Sequence, residues 1–323
     1  MSFTRLQKKI DELNNPTVVG LDPDLRHIPP EILEKHIADR GETPEAAALA
    51  IIEFNKGLID VLCDVVPAVK PQSAYYEMFG SYGVFALQAT CKYAKSKGMY
   101  VIVDGKRNDI GSTASAYSAA YLGGVNIGNT ECTVFDSDAL TVNAYLGSDG
   151  LTPFVDTAKK YDKAVFALVR TSNPSAGELQ DLTVSAKNGN LSENSELEET
   201  EKVQSNSAEK LFVKVGELLE RLAADSVDGY GYSHVGAVVG ATYPEEMQFL
   251  RKHLKHTFFL VPGYGAQGGS ASDVAYAFDE NGRGAVVNSS RAIIAAWKKR
   301  GGDYAAAALD EALSMREELR RVR

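Results

Sequence analysis

The sequence predicts an α/β chain folded as a closed (β/α)8 barrel of the TIM type, one domain over residues 1–323 with a polar lid inserted after the fifth strand. Three observations predict it. Eight short apolar, β-branched runs recur along the chain, the segments between them carry helical patterns, and 323 residues suit one such barrel with an insertion. Runs that are apolar on both faces suit parallel strands covered by helices, and alternation with helices supplies the crossovers. A doubly wound open sheet satisfies the same alternation and is the fold-level alternative.

The runs are Thr17 to Leu21, Val65 to Val69, Met99 to Val103, Ala139 to Val142, Ala164 to Val169, Val235 to Val239, Thr257 to Val261 and Ala285 to Val287. Between the first two, Pro44 to Leu62 reads as a helix. Thr43 is its N-cap, Pro44 fills the first turn, and Ile51, Ile52, Leu58, Ile59 and Leu62 form its apolar stripe. After the sixth run, Thr242 and Glu245 have capping-box spacing around Pro244, predicting a helix that starts near Thr242. The rhythm breaks between about Ala176 and Ser207. That stretch is polar, acidic and poor in large apolar groups, and it directly follows the fifth run, where it reads as a lid over the strand ends or as a surface insertion.

Composition excludes several classes. With 44% hydrophobic and 24% charged residues the chain can bury an ample core. A net charge of −9 and a pI of about 5.2 argue against nucleic-acid or membrane-surface binding, which depends on a summed positive field. The three cysteines, Cys63, Cys91 and Cys132, have no metal-like spacing, and an odd number suits a reducing compartment. With no signal peptide and no apolar run of membrane-spanning length, a cytoplasmic location is expected.

Chemistry concentrates where the runs end. Asp104-Gly105-Lys106-Arg107-Asn108-Asp109 closes the third run, and side-chain alternation along a strand puts Asp104 and Lys106 on one face with Gly105 turned away. Lys70 ends the second run, so two cations and two carboxylates, Lys70, Asp104, Lys106 and Asp109, can satisfy one another in a partly desolvated pocket. Such an array can destabilise an anion and donate a proton. Asp22, Pro23 and Asp24 follow the first run, Asn143 the fourth, and Arg170-Thr171-Ser172-Asn173 the fifth. After the seventh stands Pro262-Gly263-Tyr264-Gly265-Ala266-Gln267-Gly268-Gly269, in which four glycines among eight residues let backbone amides approach an anion. Asn288-Ser289-Ser290-Arg291 follows the eighth, and barrel enzymes often bind phosphate with these last two loops, where Arg291 adds a fork of donors.

These segments together, with Lys70-Pro71-Gln72-Ser73-Ala74-Tyr75-Tyr76-Glu77 and Ile110-Gly111-Ser112-Thr113, resemble the orotidine 5′-phosphate decarboxylase family, in its longer bacterial-type (type 2) branch. The chain departs from that branch at Gly105 and Asn108, where alanine and glycine are common; asparagine tolerates a left-handed turn. The resemblance implies cofactor-free and metal-free decarboxylation of orotidine 5′-phosphate to UMP and CO2, the last step of pyrimidine nucleotide synthesis. It implies Lys106 as proton donor to C6, Asp104 against the substrate carboxylate, and Asp22 and Lys70 at the ribose hydroxyls. It places Ser172 at the pyrimidine edge, and Gln267, Arg291 and loop amides such as that of Gly268, beside Ser290, at the phosphate. It also implies a homodimer in which Asp109 and Thr113 reach the neighbouring subunit's site. Two alternatives stay open: a barrel that acts on a sugar phosphate through a metal-stabilised enediolate, as a decarboxylase or aldolase-like enzyme, and a non-catalytic phosphate-ligand sensor.

Overall fold

The structure is a computed structural model that describes residues 1–184, 208–265 and 268–323. Eight parallel strands close into a barrel in sequence order: β1 (Thr17–Leu21), β2 (Ala68–Pro71), β3 (Tyr100–Arg107), β4 (Ala139–Val142), β5 (Ala164–Arg170), β6 (Val235–Val239), β7 (Phe258–Val261) and β8 (Ala285–Ser289). Each pairs with its neighbour in the chain, and β8 returns to β1 with Val19 opposite Ser289. The open-sheet alternative is therefore excluded.

All eight predicted runs are strands, but their ends differ in one direction. β2 starts at Ala68 rather than Val65, because the amides of Val65 and Val66 both donate to the Leu62 carbonyl and finish the preceding helix. β3, β5 and β8 run on to Arg107, Arg170 and Ser289. Apolar runs mark only the stretch of strand packed between barrel interior and helices; ladder pairing continues past it to the end where a ligand would lie, and there the side chains turn polar.

Two predicted helix starts meet different outcomes. The helix Pro44–Leu62 has Thr43 as N-cap, its side chain accepting from the Ala46 amide, and buries Ile51, Leu58, Ile59 and Leu62 while Ile52 is half-buried. The helix after β6 starts at Pro244 with Tyr243 as N-cap and no side-chain cap, so the expected capping box is absent; Thr242 instead donates to the Ser172 carbonyl at 3.5 Å, across the top of the barrel. A helix over Ser2–Leu13, not foreseen, closes the opposite end. Its Phe3 stacks on Phe258 at 4.8 Å and meets Phe166 at 5.0 Å, so Phe3, Leu6 and Ile10 join the barrel interior as one apolar cluster.

Of the expected lid at 176–207, residues 185–207 lie outside the described residues. Its stem is a helical turn, Gly177–Gln180, followed by Thr183–Val184 paired antiparallel with Glu209–Lys210. Asp181 lies between Arg170 of β5 at 3.1 Å and Lys210 at 3.1 Å, which ties both arms of the stem to the barrel. Among the described residues, no helix is long and apolar enough to cross a membrane.

Candidate active site

β3 delivers the charged array through an irregularity. Its register against β4 shifts between Val103 and Arg107, and Lys106 adopts φ 45°, in the left-handed region that a side chain normally avoids. Plain strand alternation therefore does not place Lys106. The bulge does, and the Lys106 amide, freed from the ladder, donates to Thr141 Oγ1 of β4 at 2.9 Å. The left-handed residue in this loop is Lys106; Asn108 has no positive φ.

The result is a carboxylate with four donors. Asp104 Oδ1 accepts from Lys106 Nζ at 2.6 Å and Thr141 Oγ1 at 2.8 Å, and Oδ2 from Lys70 Nζ at 2.7 Å and Gln72 Nε2 at 3.0 Å. Burial opposes ionisation of Asp104, but the charges and hydrogen bonds of Lys70 and Lys106 outweigh it and hold the carboxyl far below the usual carboxylate range. Burial likewise disfavours the Lys70 ammonium, yet Asp104 and Asp22 together raise its pKa above the ordinary lysine value. Lys70 is 6% exposed and Lys106 46%, so one amine belongs to the protein interior and the other reaches into open space.

That space is a cavity of about 480 Å³ at the carboxyl ends of the strands. Asp22, Lys70, Asp104, Lys106, Ser172 and Ser290, placed on the ends of five different strands, all line it. Two glycines permit the close approach: a methyl group on Gly20 would lie 1.8 Å from Ser290 Oγ, and one on Gly240 would lie 2.8 Å from the Ser172 amide nitrogen. Asp22 Oδ1 and Asn288 Oδ1 are buried without a hydrogen-bond partner. They are two acceptors open to donors from a ligand. A second cavity of about 320 Å³ shares Asp22, Gly263, Asn288 and Ser290 with the first and adds Asp24, Tyr75, Tyr264 and Arg291.

Of the remaining predicted residues, Gln267 lies outside the described residues. Gly268 is exposed, and its amide donates to the Gly265 carbonyl at 3.0 Å. Asp109 and Thr113 line neither cavity. Asp109 accepts from the Ile110 amide at 2.8 Å and Thr113 is exposed on the first turn of the helix Gly111–Tyr121.

Thr141 and Gln180 were not foreseen. Thr141 lies inside an apolar run, and only the register of β4 against β3 reveals that its hydroxyl faces Asp104. Gln180 accepts from the Thr171 amide at 3.0 Å and donates to Thr171 Oγ1 at 2.7 Å, which fixes the β5 edge of the cavity. Its signal in the sequence is no more than a glutamine near a polar stretch. Among the described residues, no group of three or more His, Cys, Asp and Glu side chains is placed to hold a metal ion.

Comparison with known proteins gives the chain's family and its fold relatives. The profile of the orotidine 5′-phosphate decarboxylase / HUMPS family matches residues 19–301. An orotidine 5′-phosphate decarboxylase from Rhodopirellula baltica is 43% identical over 93% of this chain and 90% of its own length. One from Caldicellulosiruptor saccharolyticus is 37% identical over 91% of this chain and 89% of its own. The structure of Leishmania donovani OMP decarboxylase superposes with a TM-score of 0.66 at 29% identity, covering 98% of this chain and 99% of that one. Barrel, charged array and full-length similarity converge: the chain belongs to the orotidine 5′-phosphate decarboxylase / HUMPS family.

Proposed function

We propose that the protein decarboxylates orotidine 5′-phosphate to UMP and CO2. The observation that carries this reading is the Asp104 carboxylate locked between Lys70 and Lys106 on the wall of the cavity, at 2.7 and 2.6 Å. Loss of CO2 from C6 leaves a carbanion with little resonance relief, so stabilisation has to come from charge. Lys106, the more exposed amine, is the proton donor to C6, and its ammonium stands where negative charge develops. One unit charge at about 4 Å is worth roughly 4 kcal/mol at an effective dielectric near 20, on the order of a thousandfold in rate. Enzymes lower barriers by roughly 8 to 23 kcal/mol, so a further contribution is needed. Binding energy from the distant phosphate, held by Gln267, Arg291 and loop amides, presses the substrate carboxylate toward Asp104. Asp104 cannot escape that repulsion by taking up a proton, because its neighbours hold it ionised.

Asp22 and Lys70 take the ribose hydroxyls, the unpartnered Asp22 Oδ1 being a suitable acceptor, and Ser172 takes the pyrimidine edge. The whole chain is one domain, and its polar insertion covers the phosphate end, a reading supported by the stem that Arg170 and Lys210 fix beside the cavity. A homodimer supplies Asp109 and Thr113 to the partner's site. Its support is an apolar surface beside them: Ile110, Tyr145, Leu146, Val125 and Ile127 are all exposed, and the Leu146 side chain and the Asp109 backbone converge on Gly150. A cytoplasmic location fits three unpaired cysteines.

Following the absorbance loss of orotidine 5′-phosphate in chelator-treated, metal-free buffer tests the reaction. UMP and CO2 formed there without added metal support it, and a strict divalent-cation requirement would favour the enediolate alternative.

A further inference from the structure

Beyond Arg291, on the side away from Lys106, lies a third cavity of about 560 Å³ lined by Arg26, His27, Gly265, Arg291, Ala292, Ala295, Lys298 and Lys299. No carboxylate lines it, which is anomalous in a chain of net charge −9. Arg26 is already committed to Asp24, and burial lowers the His27 pKa below its ordinary value, leaving that ring neutral at pH 7. Arg291, Lys298 and Lys299 form no ion pair among the described residues. Unpaired cations gathered around one concavity favour an anion with more charge than a single phosphate. This cavity adjoins the second one, with Arg26, His27 and Arg291 lining both.

From this we infer that the basic cavity is a binding site for the distal phosphates of a pyrimidine nucleoside di- or triphosphate whose nucleoside occupies the main cavity. The inference rests on the reading of that cavity as a nucleoside monophosphate site. Arg291 is the branch point: it holds the first phosphate from one side and opens the path to Lys298 and Lys299 on the other. Such a ligand carries no carboxylate for Asp104 to repel, so it occupies the site without reacting. The consequence is competitive inhibition by more highly phosphorylated products of the reaction's own product, the class of compound that phosphoryl transfer to UMP must generate.

The test is inhibition of orotidine 5′-phosphate turnover by UMP, UDP, UTP and inorganic tripolyphosphate at fixed ionic strength in metal-free buffer. UTP is expected to compete on the order of tenfold more tightly than UMP, with UDP between them. The double variant Lys298→Ala/Lys299→Ala is expected to bring UTP back to the UMP value while moving the KM for orotidine 5′-phosphate by less than about twofold, and Lys298→Arg/Lys299→Arg is expected to keep the tight binding. UTP no tighter than UMP, a preference that survives the double alanine variant, or tripolyphosphate inhibiting better than UTP would each overturn the inference. Absence of turnover with orotidine 5′-phosphate would instead strike the underlying reading, so the two failures are distinct.

Discussion

At the scale of single residues, Asp104 is the node: one buried carboxylate accepts from Lys70, Gln72, Lys106 and Thr141. Replacing Asp104 by Asn leaves the interior Lys70 ammonium without its partner, and removing one member of a buried pair costs about 3 kcal/mol. Urea denaturation of Asp104→Asn should show that loss together with the loss of turnover; unchanged stability would mean that Lys70 is not held by this carboxylate. The sign of the pH dependence follows. A carboxyl depressed in the folded state contributes stability that is fully present above its unfolded pKa, near ~3.9, and is lost as pH falls through the lower folded value. An acidic limb in turnover above that range therefore belongs to another group. Asp104, Lys106 and Lys70 were legible in the sequence because charges that end apolar runs stand out. Thr141 was not, because its part in the site depends on which strand lies beside which, a long-range fact that local pattern does not carry. The left-handed Lys106 was hidden for a related reason: nothing in the residue type announces a bulge.

At the scale of elements, the eight strands were legible in position but not in extent. Apolar composition ends where burial between two layers ends, while hydrogen bonding carries Asp104 to Arg107 and Asn288 to Ser289 into the sheet. The helix Ser2–Leu13 was not legible, because its apolar face is completed by the barrel floor rather than by its own neighbours in sequence. Phe3→Ala should lower stability by about 3 to 5 kcal/mol in chemical denaturation while leaving KM unchanged, since Phe3 is buried against Phe166 and Phe258 at the end opposite the site. A change in KM without a loss of stability would contradict the role of that helix as a floor. The insertion belongs to the opposite end. Deleting residues 187 to 200 should raise the KM for orotidine 5′-phosphate if the segment covers the phosphate, and an unchanged KM would reduce it to a surface insertion.

At the scale of the whole molecule, the barrel gathers residues from all eight strand ends around one cavity but leaves Asp109 and Thr113 outside it. The proposed sharing of Asp109 and Thr113 across a dimer makes a specific prediction for mixed subunits. Lys106→Ala and Asp109→Ala chains, each inactive alone, should regain about a quarter of the native sites when unfolded and refolded together, because half the dimers are mixed and each mixed dimer holds one intact site. No recovery on mixing would confine each site to its own chain.

Charge at C6 is the center of the proposed chemistry, and Lys106 carries it. The most direct measurement is CO2 release from saturating orotidine 5′-phosphate by Lys106→Ala, with UMP affinity measured on the same sample. Turnover should fall by about a thousandfold or more while UMP affinity is retained through Arg291, Ser172 and Ser290. A variant that still turns over within about tenfold of the native rate would contradict the role of Lys106 as proton donor.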